Sequence, residues 1–168
     1  MSAGKMVIRV TSEDETRAFG RRLASALEGG DVVAVDGPLG AGKTRLAMGV
    51  AEGLGLDPKT ISSPTYVICH EHPGARDGLT LAHVDAYRLR GSIEDLESVG
   101  WDDFAGDAEV ITLVEWSERV AEAMPAAAVH IRIDLEPASE SDRAIEVSGR
   151  GAAPDRVRTT LAGWAPGQ

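Results

Sequence analysis

The residues Gly37-Pro38-Leu39-Gly40-Ala41-Gly42-Lys43-Thr44 match the phosphate-binding pattern G-x-x-x-x-G-K-[ST] at every fixed position. The run Val32-Val33-Ala34-Val35 directly before them is typical of a buried parallel strand. Directly after them, apolar side chains recur at helical spacing, at Leu46, Ala47, Val50, Ala51 and Leu54. Strand, loop and helix in this order predict a site for a nucleoside triphosphate.

Each residue type in this loop has a physical reason to be there. Glycines at 37, 40 and 42 allow positive φ angles, which bring successive N–H groups towards phosphate oxygens. The lysine supplies a mobile positive charge for the β- and γ-phosphates, and the threonine hydroxyl is a ligand for Mg²⁺. We expect nucleotide contacts along the whole loop, at Gly37, Leu39, Gly40, Ala41, Gly42, Lys43, Thr44 and Arg45.

Length and composition narrow the class of protein. A chain of 168 residues predicts one domain, with a core large enough to need no disulfide. Cys69 is the only cysteine and the N-terminus has no basic-then-apolar leader pattern, so we expect a cytoplasmic protein. No apolar run reaches the ~18 residues of a membrane helix. The net charge of −10 disfavours direct, strong binding to nucleic acid, because phosphate contacts need clustered cations.

The pattern along the chain predicts a three-layer α/β/α fold of the P-loop NTPase type. The sheet should be mixed and mostly parallel, with antiparallel hairpins formed by 66–70 with 79–85 and by 129–135 with 144–147. Residues 92–104 are predicted as one helix, with Ile93 and Leu96 facing inward. We expect one ATPase domain over residues 1–152, followed by a short helix or loose tail over 153–168.

A phosphate-binding loop of this kind needs an acid at the end of a neighbouring strand to hold Mg²⁺ and orient water. Glu115 follows the apolar run 111–114, and Asp85 closes the predicted strand 79–85. Asp36 also ends a strand, but it precedes the loop, so we expect it to act as a cap or to point away, and it ranks third among the candidate acids. His83 shares a strand face with Asp85, which suggests that it could orient that carboxylate.

Further motifs resemble one family. The chain carries Leu39 to Thr44, then Ser63-Pro64-Thr65-Tyr66, then His83-x-Asp85-x-Tyr87-Arg88-Leu89, then Val114-Glu115-Trp116. In this order and spacing they resemble the TsaE family, small bacterial P-loop ATPases of tRNA threonylcarbamoyladenosine synthesis. The phosphate loop alone is shared by many families, and it is the last two motifs that make the resemblance specific.

The resemblance implies roles for individual positions. Lys43 and Thr44 would bind phosphate and magnesium, with Glu115 as a magnesium ligand or catalytic acid. Asp85 would be required for ATP hydrolysis. Ser63 and Thr65 would sense the γ-phosphate, and Trp116 would lie beside the nucleotide. The implied catalytic residues are therefore Asp85, Glu115 and Lys43, and the implied metal ligands are Thr44 and Glu115.

The resemblance also implies a function: an ATPase, slow alone, that uses ATP/ADP and Mg²⁺. It would act with the TsaD–TsaB pair that modifies adenosine 37 of tRNAs reading codons that begin with adenine. A second hypothesis is a P-loop kinase for a small molecule or nucleotide, although 88–90 is short for an arginine-rich lid. A GTP-driven switch is disfavoured because the chain has no Asn-Lys-x-Asp element.

Overall fold

A computed structural model of the chain describes residues 4–62, 69–89 and 93–167. In these residues one sheet contains the strands β1 (Met6–Val10), β2 (Val32–Asp36), β3 (Cys69–His72), β4 (Thr80–Asp85), β5 (Val110–Glu115), β6 (Val129–Leu135) and β7 (Arg143–Ser148). The helices are α1 (Glu13–Ala24), α2 (Lys43–Gly53), α3 (Ile93–Glu97), α4 (Trp101–Phe104) and α5 (Ala152–Leu161). Short 3-10 helices span Pro58–Thr60, Arg76–Gly78 and Ser117–Ala123.

The strand order in the sheet is β1-β7-β6-β2-β5-β4-β3. Strand β2 lies at the centre, parallel to both β5 and β6, and β4 is parallel to β5. The outer pairs β3/β4, β6/β7 and β1/β7 are antiparallel. The predicted mixed sheet with antiparallel hairpins is confirmed, and its pairings in the described residues are three parallel and three antiparallel. Because the carboxyl ends of β2, β4 and β5 meet at one edge, the loops that follow them converge there.

The helices cover both faces of the sheet. One apolar cluster joins α1, α2 and α5 to the sheet through side chains such as Phe19, Leu46 and Val157. The other joins α3 and α4 to the opposite face through Leu96, Trp101 and others. These clusters are the two cores of the predicted three-layer fold. No helix in the described ranges is long and apolar enough to span a lipid bilayer.

Helix α1 begins with a capping box. The Ser12 side chain accepts a hydrogen bond of 3.1 Å from the Glu15 N–H, and the Glu15 carboxylate accepts one of 2.6 Å from the Thr11 N–H. The helix then packs closely on α2 through glycines. A Cβ added to Gly49 would lie 2.1 Å from the Arg17 carbonyl oxygen, so the two backbones are nearly in contact. This contact holds α2, which follows the phosphate-binding loop, closely against α1.

Three segments differ from the sequence-based expectation or extend it. The single helix predicted over 92–104 is wrong, because Gly100 adopts φ +84° and divides the segment into α3 and α4. Ile93 is 44% exposed rather than inward, and residue 92 lies outside the described residues. Strand β3 spans Cys69–His72, beyond the predicted end at residue 70, and residues 66–68 of the predicted strand lie outside the described residues. The C-terminal segment forms α5, and beyond it Trp164 packs edge-on against Phe19 with 6.0 Å between ring centroids.

Candidate nucleotide site

The phosphate-binding loop connects the end of β2 to the start of α2. Gly37, Gly40 and Gly42 adopt φ angles of +152°, +78° and +105°, as the pattern predicts. Gly42 is the N-cap of α2 and contributes no side-chain cap, so the first amides of the helix face the loop without a competing side chain. A helix N-terminus of this kind attracts anions.

Two of these glycines are required for different reasons. A Cβ on Gly37 would lie 2.4 Å from the Ile133 carbonyl oxygen, so the close approach of the loop to β6 excludes a side chain. A Cβ on Gly40 would meet nothing within 4 Å, and there the positive φ alone favours glycine. Packing therefore holds the first residue of the loop, whereas its tip lies in open space.

Lys43 is folded back onto its own loop. It is only 6% exposed, and its Nζ donates hydrogen bonds to the carbonyls of Gly37 (2.7 Å) and Pro38 (2.9 Å). The same nitrogen lies 3.9 Å from the centroid of the Trp116 ring, a cation–π contact. Burial lowers the pKa of Lys43, and nearby carboxylates, led by Glu115, oppose that shift.

The two predicted acids end neighbouring strands. Asp85 and Glu115 are directly paired in the β4/β5 register. Glu115 is 2% exposed, and the Thr44 hydroxyl donates to its carboxylate at 3.3 Å. Hydroxyl and carboxylate oxygens are ligands that Mg²⁺ prefers, so this pair fits the predicted metal site. Asp85 accepts a 2.9 Å hydrogen bond from the Tyr87 N–H at the turn that follows β4.

His83 does not orient Asp85, and the sequence-based suggestion is wrong. Its Nε2 lies 2.9 Å from Glu115 Oε1 on the adjacent strand, and both side chains are buried. The residue's Nδ1 is buried without a hydrogen-bond partner among the described residues. This arrangement assigns the proton to Nε2, because only that nitrogen faces an acceptor. The cross-strand contact arises because β4 and β5 present His83 and Glu115 on the same face.

Two further predicted residues, Asp36 and Trp116, lie at the start of the 3-10 helix that follows β5. Asp36 caps the 3-10 helix that follows Trp116, accepting from the Ser117 hydroxyl (2.7 Å) and the Glu118 N–H (3.0 Å). Trp116 adopts a left-handed conformation with φ +59°, which is costly for a bulky residue. The centroid of its ring lies 4.9 Å from the centroid of the Tyr87 ring. Strain of this type is common at functional sites.

The structure brings most of the predicted residues around one cavity of about 240 Å³. Its lining includes Leu39, Gly40, Gly42, Lys43, Thr44, Arg45, Glu115 and Trp116. Leu39 is 80% exposed, and Arg45 pairs with Glu13 at 3.0 Å. Asp85 lies beside this cavity rather than in its lining. The candidate sensors Ser63 and Thr65 lie outside the described residues.

Sequence reasoning missed one contact of the loop. The Arg143 side chain, from the first residue of β7, donates hydrogen bonds to the carbonyls of Ala41 (3.2 Å) and Gly40 (3.3 Å). No motif marks this arginine, which lies about a hundred residues beyond the loop in the chain. Only the pairing of β7 with β6, and of β6 with β2, places it there.

Known proteins resemble this chain over most of its length. The family described as threonylcarbamoyl adenosine biosynthesis protein TsaE matches residues 10–145. A tRNA threonylcarbamoyladenosine biosynthesis protein TsaE from Streptomyces coelicolor is 42% identical, covering 80% of this chain and 90% of its own. The protein of the same name from Bacillus subtilis is 35% identical, covering 85% of each chain. The crystal structure of YdiB from Bacillus subtilis superposes with a TM-score of 0.76 at 28% identity, over 97% of both chains.

Proposed function

The chain belongs to the TsaE family of tRNA threonylcarbamoyladenosine biosynthesis. On this premise we propose that it is a magnesium-dependent ATPase, and that it docks on the TsaD–TsaB pair when it has ATP bound. One observation carries the nucleotide part of the proposal. The Lys43 ammonium and the Thr44–Glu115 oxygens converge on the cavity at the N-terminus of α2. A cation and a pair of hard oxygen ligands at a helix N-terminus suit a magnesium-bound triphosphate.

Each residue has a distinct task in this proposal. Lys43 exchanges its loop carbonyls for phosphate oxygens, so nucleotide binding replaces internal hydrogen bonds with charge-assisted ones. Thr44 and Glu115 hold Mg²⁺, which when bound neutralises charge on the phosphates. Asp85, at the end of the adjacent strand, orients the attacking water. Trp116 supplies an aromatic wall beside the phosphate site.

The partner part of the proposal follows from charge. With 27 acids against 17 lysines and arginines, the protein is poorly suited to hold tRNA phosphates. A role in tRNA modification is then carried through a protein that does bind tRNA. We propose that the nucleotide lies at or near the docking interface, and that residues 62–66 respond to the γ-phosphate. Ordering of a loop by this phosphate makes docking nucleotide-dependent.

The nucleotide site is tested by calorimetry with ATP and ADP. Lys43→Ala should weaken binding strongly, because it removes the positive charge from the phosphates. The matched control is Lys59→Ala, which removes an exposed lysine from the 3-10 helix Pro58–Thr60, beyond the end of α2. Unchanged ATP affinity in Lys43→Ala would overturn the site.

The division of labour between the acids is tested by kinetics. Asp85→Ala should keep its nucleotide affinity but lose hydrolysis in the presence of the partners, whereas the exposed control Asp102→Ala should keep both. ATP is then incubated alone, with small-molecule acceptors, and with TsaD and TsaB. Transfer of phosphate to an acceptor would indicate a kinase and contradict the proposal, and so would hydrolysis at the parent rate by Asp85→Ala.

Docking is tested by gel filtration with the TsaD–TsaB pair. Association should be tighter with a non-hydrolysable ATP analogue than without nucleotide. The isolated protein should show negligible affinity for free tRNA at physiological salt. Docking of equal strength in both conditions, or strong tRNA binding by the protein alone, would refute this part.

A further inference from the structure

We propose that Arg143 is a positioning residue for the phosphate-binding loop, an inference that rests on the nucleotide site proposed above. Among the described residues its guanidinium donates four hydrogen bonds, all to main-chain carbonyls. Two acceptors are on the loop, Ala41 (3.2 Å from Nε) and Gly40 (3.3 Å from Nη2). The other two are on the turn between β6 and β7, Glu140 (2.8 Å) and Asp142 (3.0 Å), both bonded to Nη1. One side chain therefore joins the loop to the hairpin.

The loop needs such a connection at this point. Gly37 is held by its close approach to β6, and Lys43 by the first turn of α2. Between them, a Cβ on Gly40 would meet nothing within 4 Å and Leu39 is 80% exposed, so side-chain packing does not restrain these two residues. Hydrogen bonds from a charged donor are stronger than neutral ones, and here they replace the missing packing.

The two acceptors on the loop also connect Arg143 to main-chain N–H groups of the loop. The Gly40 carbonyl and the Ala41 N–H belong to one peptide unit, and the Ala41 carbonyl and the Gly42 N–H belong to the next. A cationic donor on a carbonyl polarises its peptide unit and strengthens the N–H at the other end. Arg143 thus holds two peptide units of the loop in place and polarises both N–H groups, of which that of Ala41 donates to the Pro38 carbonyl at 3.1 Å.

The planar guanidinium is essential to this role. Its donors point in fixed directions, which lets one side chain reach two carbonyls on each of two segments. A lysine at this position keeps the charge but offers a single nitrogen on a flexible stem. The β6/β7 pairing, which includes Leu135 with Arg143, holds the base of the side chain in register. The substitution Arg143→Lys therefore separates the contribution of the guanidinium geometry from that of the positive charge.

The test compares Arg143→Gln, Arg143→Lys and a control, Arg132→Gln. Arg132 lies on β6 of the same hairpin and pairs with Asp134 at the surface, so the control removes the same charge from the same hairpin without touching the loop. Two quantities are measured on each folded protein. One is hydrogen exchange of the peptide covering 37–45 without nucleotide, and the other is ADP affinity by calorimetry.

Arg143→Gln should exchange faster over 37–45 and bind ADP about tenfold more weakly, the size expected for loss of charge-assisted hydrogen bonds. Arg143→Lys should recover little of either, and Arg132→Gln should match the parent in both. Unchanged loop exchange in Arg143→Gln would overturn the inference, and so would full recovery of ADP affinity in Arg143→Lys. If the parent itself binds no ADP, the proposed nucleotide site is wrong. That result is distinct from failure of the positioning role of Arg143.

Discussion

Substitution of Gly49 by alanine tests whether the contact between α1 and α2 positions the phosphate-binding loop. The added Cβ would lie 2.1 Å from the Arg17 carbonyl oxygen and 3.0 Å from the Gly20 Cα. An ordinary contact is at least 3.4 Å, so the two helices must separate by about 1 Å. Both neighbouring atoms are main-chain atoms, and no side-chain rotation can relieve the clash.

The expected loss of stability follows from two opposing terms. Overpacking of a tight contact costs about 1–3 kcal/mol, and a backbone clash belongs at the upper end of that range. Alanine in place of glycine in a helix returns at most about 1 kcal/mol. The free energy of unfolding should therefore fall by about 2 kcal/mol. For a chain of 168 residues this corresponds to a decrease in Tm of about 4–8 °C.

Thermal unfolding followed by circular dichroism measures this change, and calorimetry with ADP shows whether the loop is displaced. Gly53→Ala should cost less, since its Cβ would approach its neighbours less closely, at 2.7 Å from the Ala24 Cβ and 2.8 Å from the Arg21 carbonyl oxygen. Gly4→Ala is the control, because its nearest neighbour is the Arg158 side chain at 3.5 Å. A Tm for Gly49→Ala equal to that of the parent would refute the reasoning, because it would mean that the helices are not in backbone contact.

Three other measurements follow from the site. In the presence of ADP, His83→Leu should bind Mn²⁺ about 10–100-fold more weakly than the parent, because Glu115 loses the group that orients it. His83→Gln should lose less affinity. Equal Mn²⁺ affinities of His83→Leu and the parent would contradict a role for this contact. Burial, with a smaller contribution from Glu71, raises the pKa of Cys69 from 9.0 to about 11. At pH 8, iodoacetamide should therefore label the folded thiol about a hundredfold more slowly than the unfolded one. Equal labelling rates would contradict the shift. ADP should change the tryptophan fluorescence as Lys43 leaves the Trp116 ring, and a full signal in Trp116→Phe would exclude that source.

The sequence was most informative where local pattern and chemistry coincide. The loop required positive φ at three glycines, and the structure has all three. The acids Asp85 and Glu115 could be placed at strand ends because each follows an apolar run, and parallel pairing then brings them together. These features depend on short stretches of chain, in which residue type and spacing limit the possible structures.

What could not be predicted depends on contacts between distant segments. His83 lies two residues from Asp85 on the same strand face, and only the β4/β5 register shows that its partner is Glu115 instead. The division of 92–104 into two helices depends on Gly100, a residue that helices tolerate at a cost of about 1 kcal/mol. In both places tertiary structure, which one sequence does not show, decided between local alternatives.

Strand β1 is paired in the described sheet with β7 alone, so Met6 lies opposite Val147. During translation β1 leaves the ribosome well before β7, because five other strands lie between them in the chain. Until then, the main-chain donors and acceptors of β1 have no strand to pair with, and such edges promote aggregation. In the folded protein Lys5 pairs with Glu146, and Arg9 pairs with Glu136. Before β7 is made, these two positive charges oppose aggregation of the unpaired β1. A chain that stops before residue 143 would retain the phosphate-binding loop yet leave β1 and one side of β6 open to other molecules.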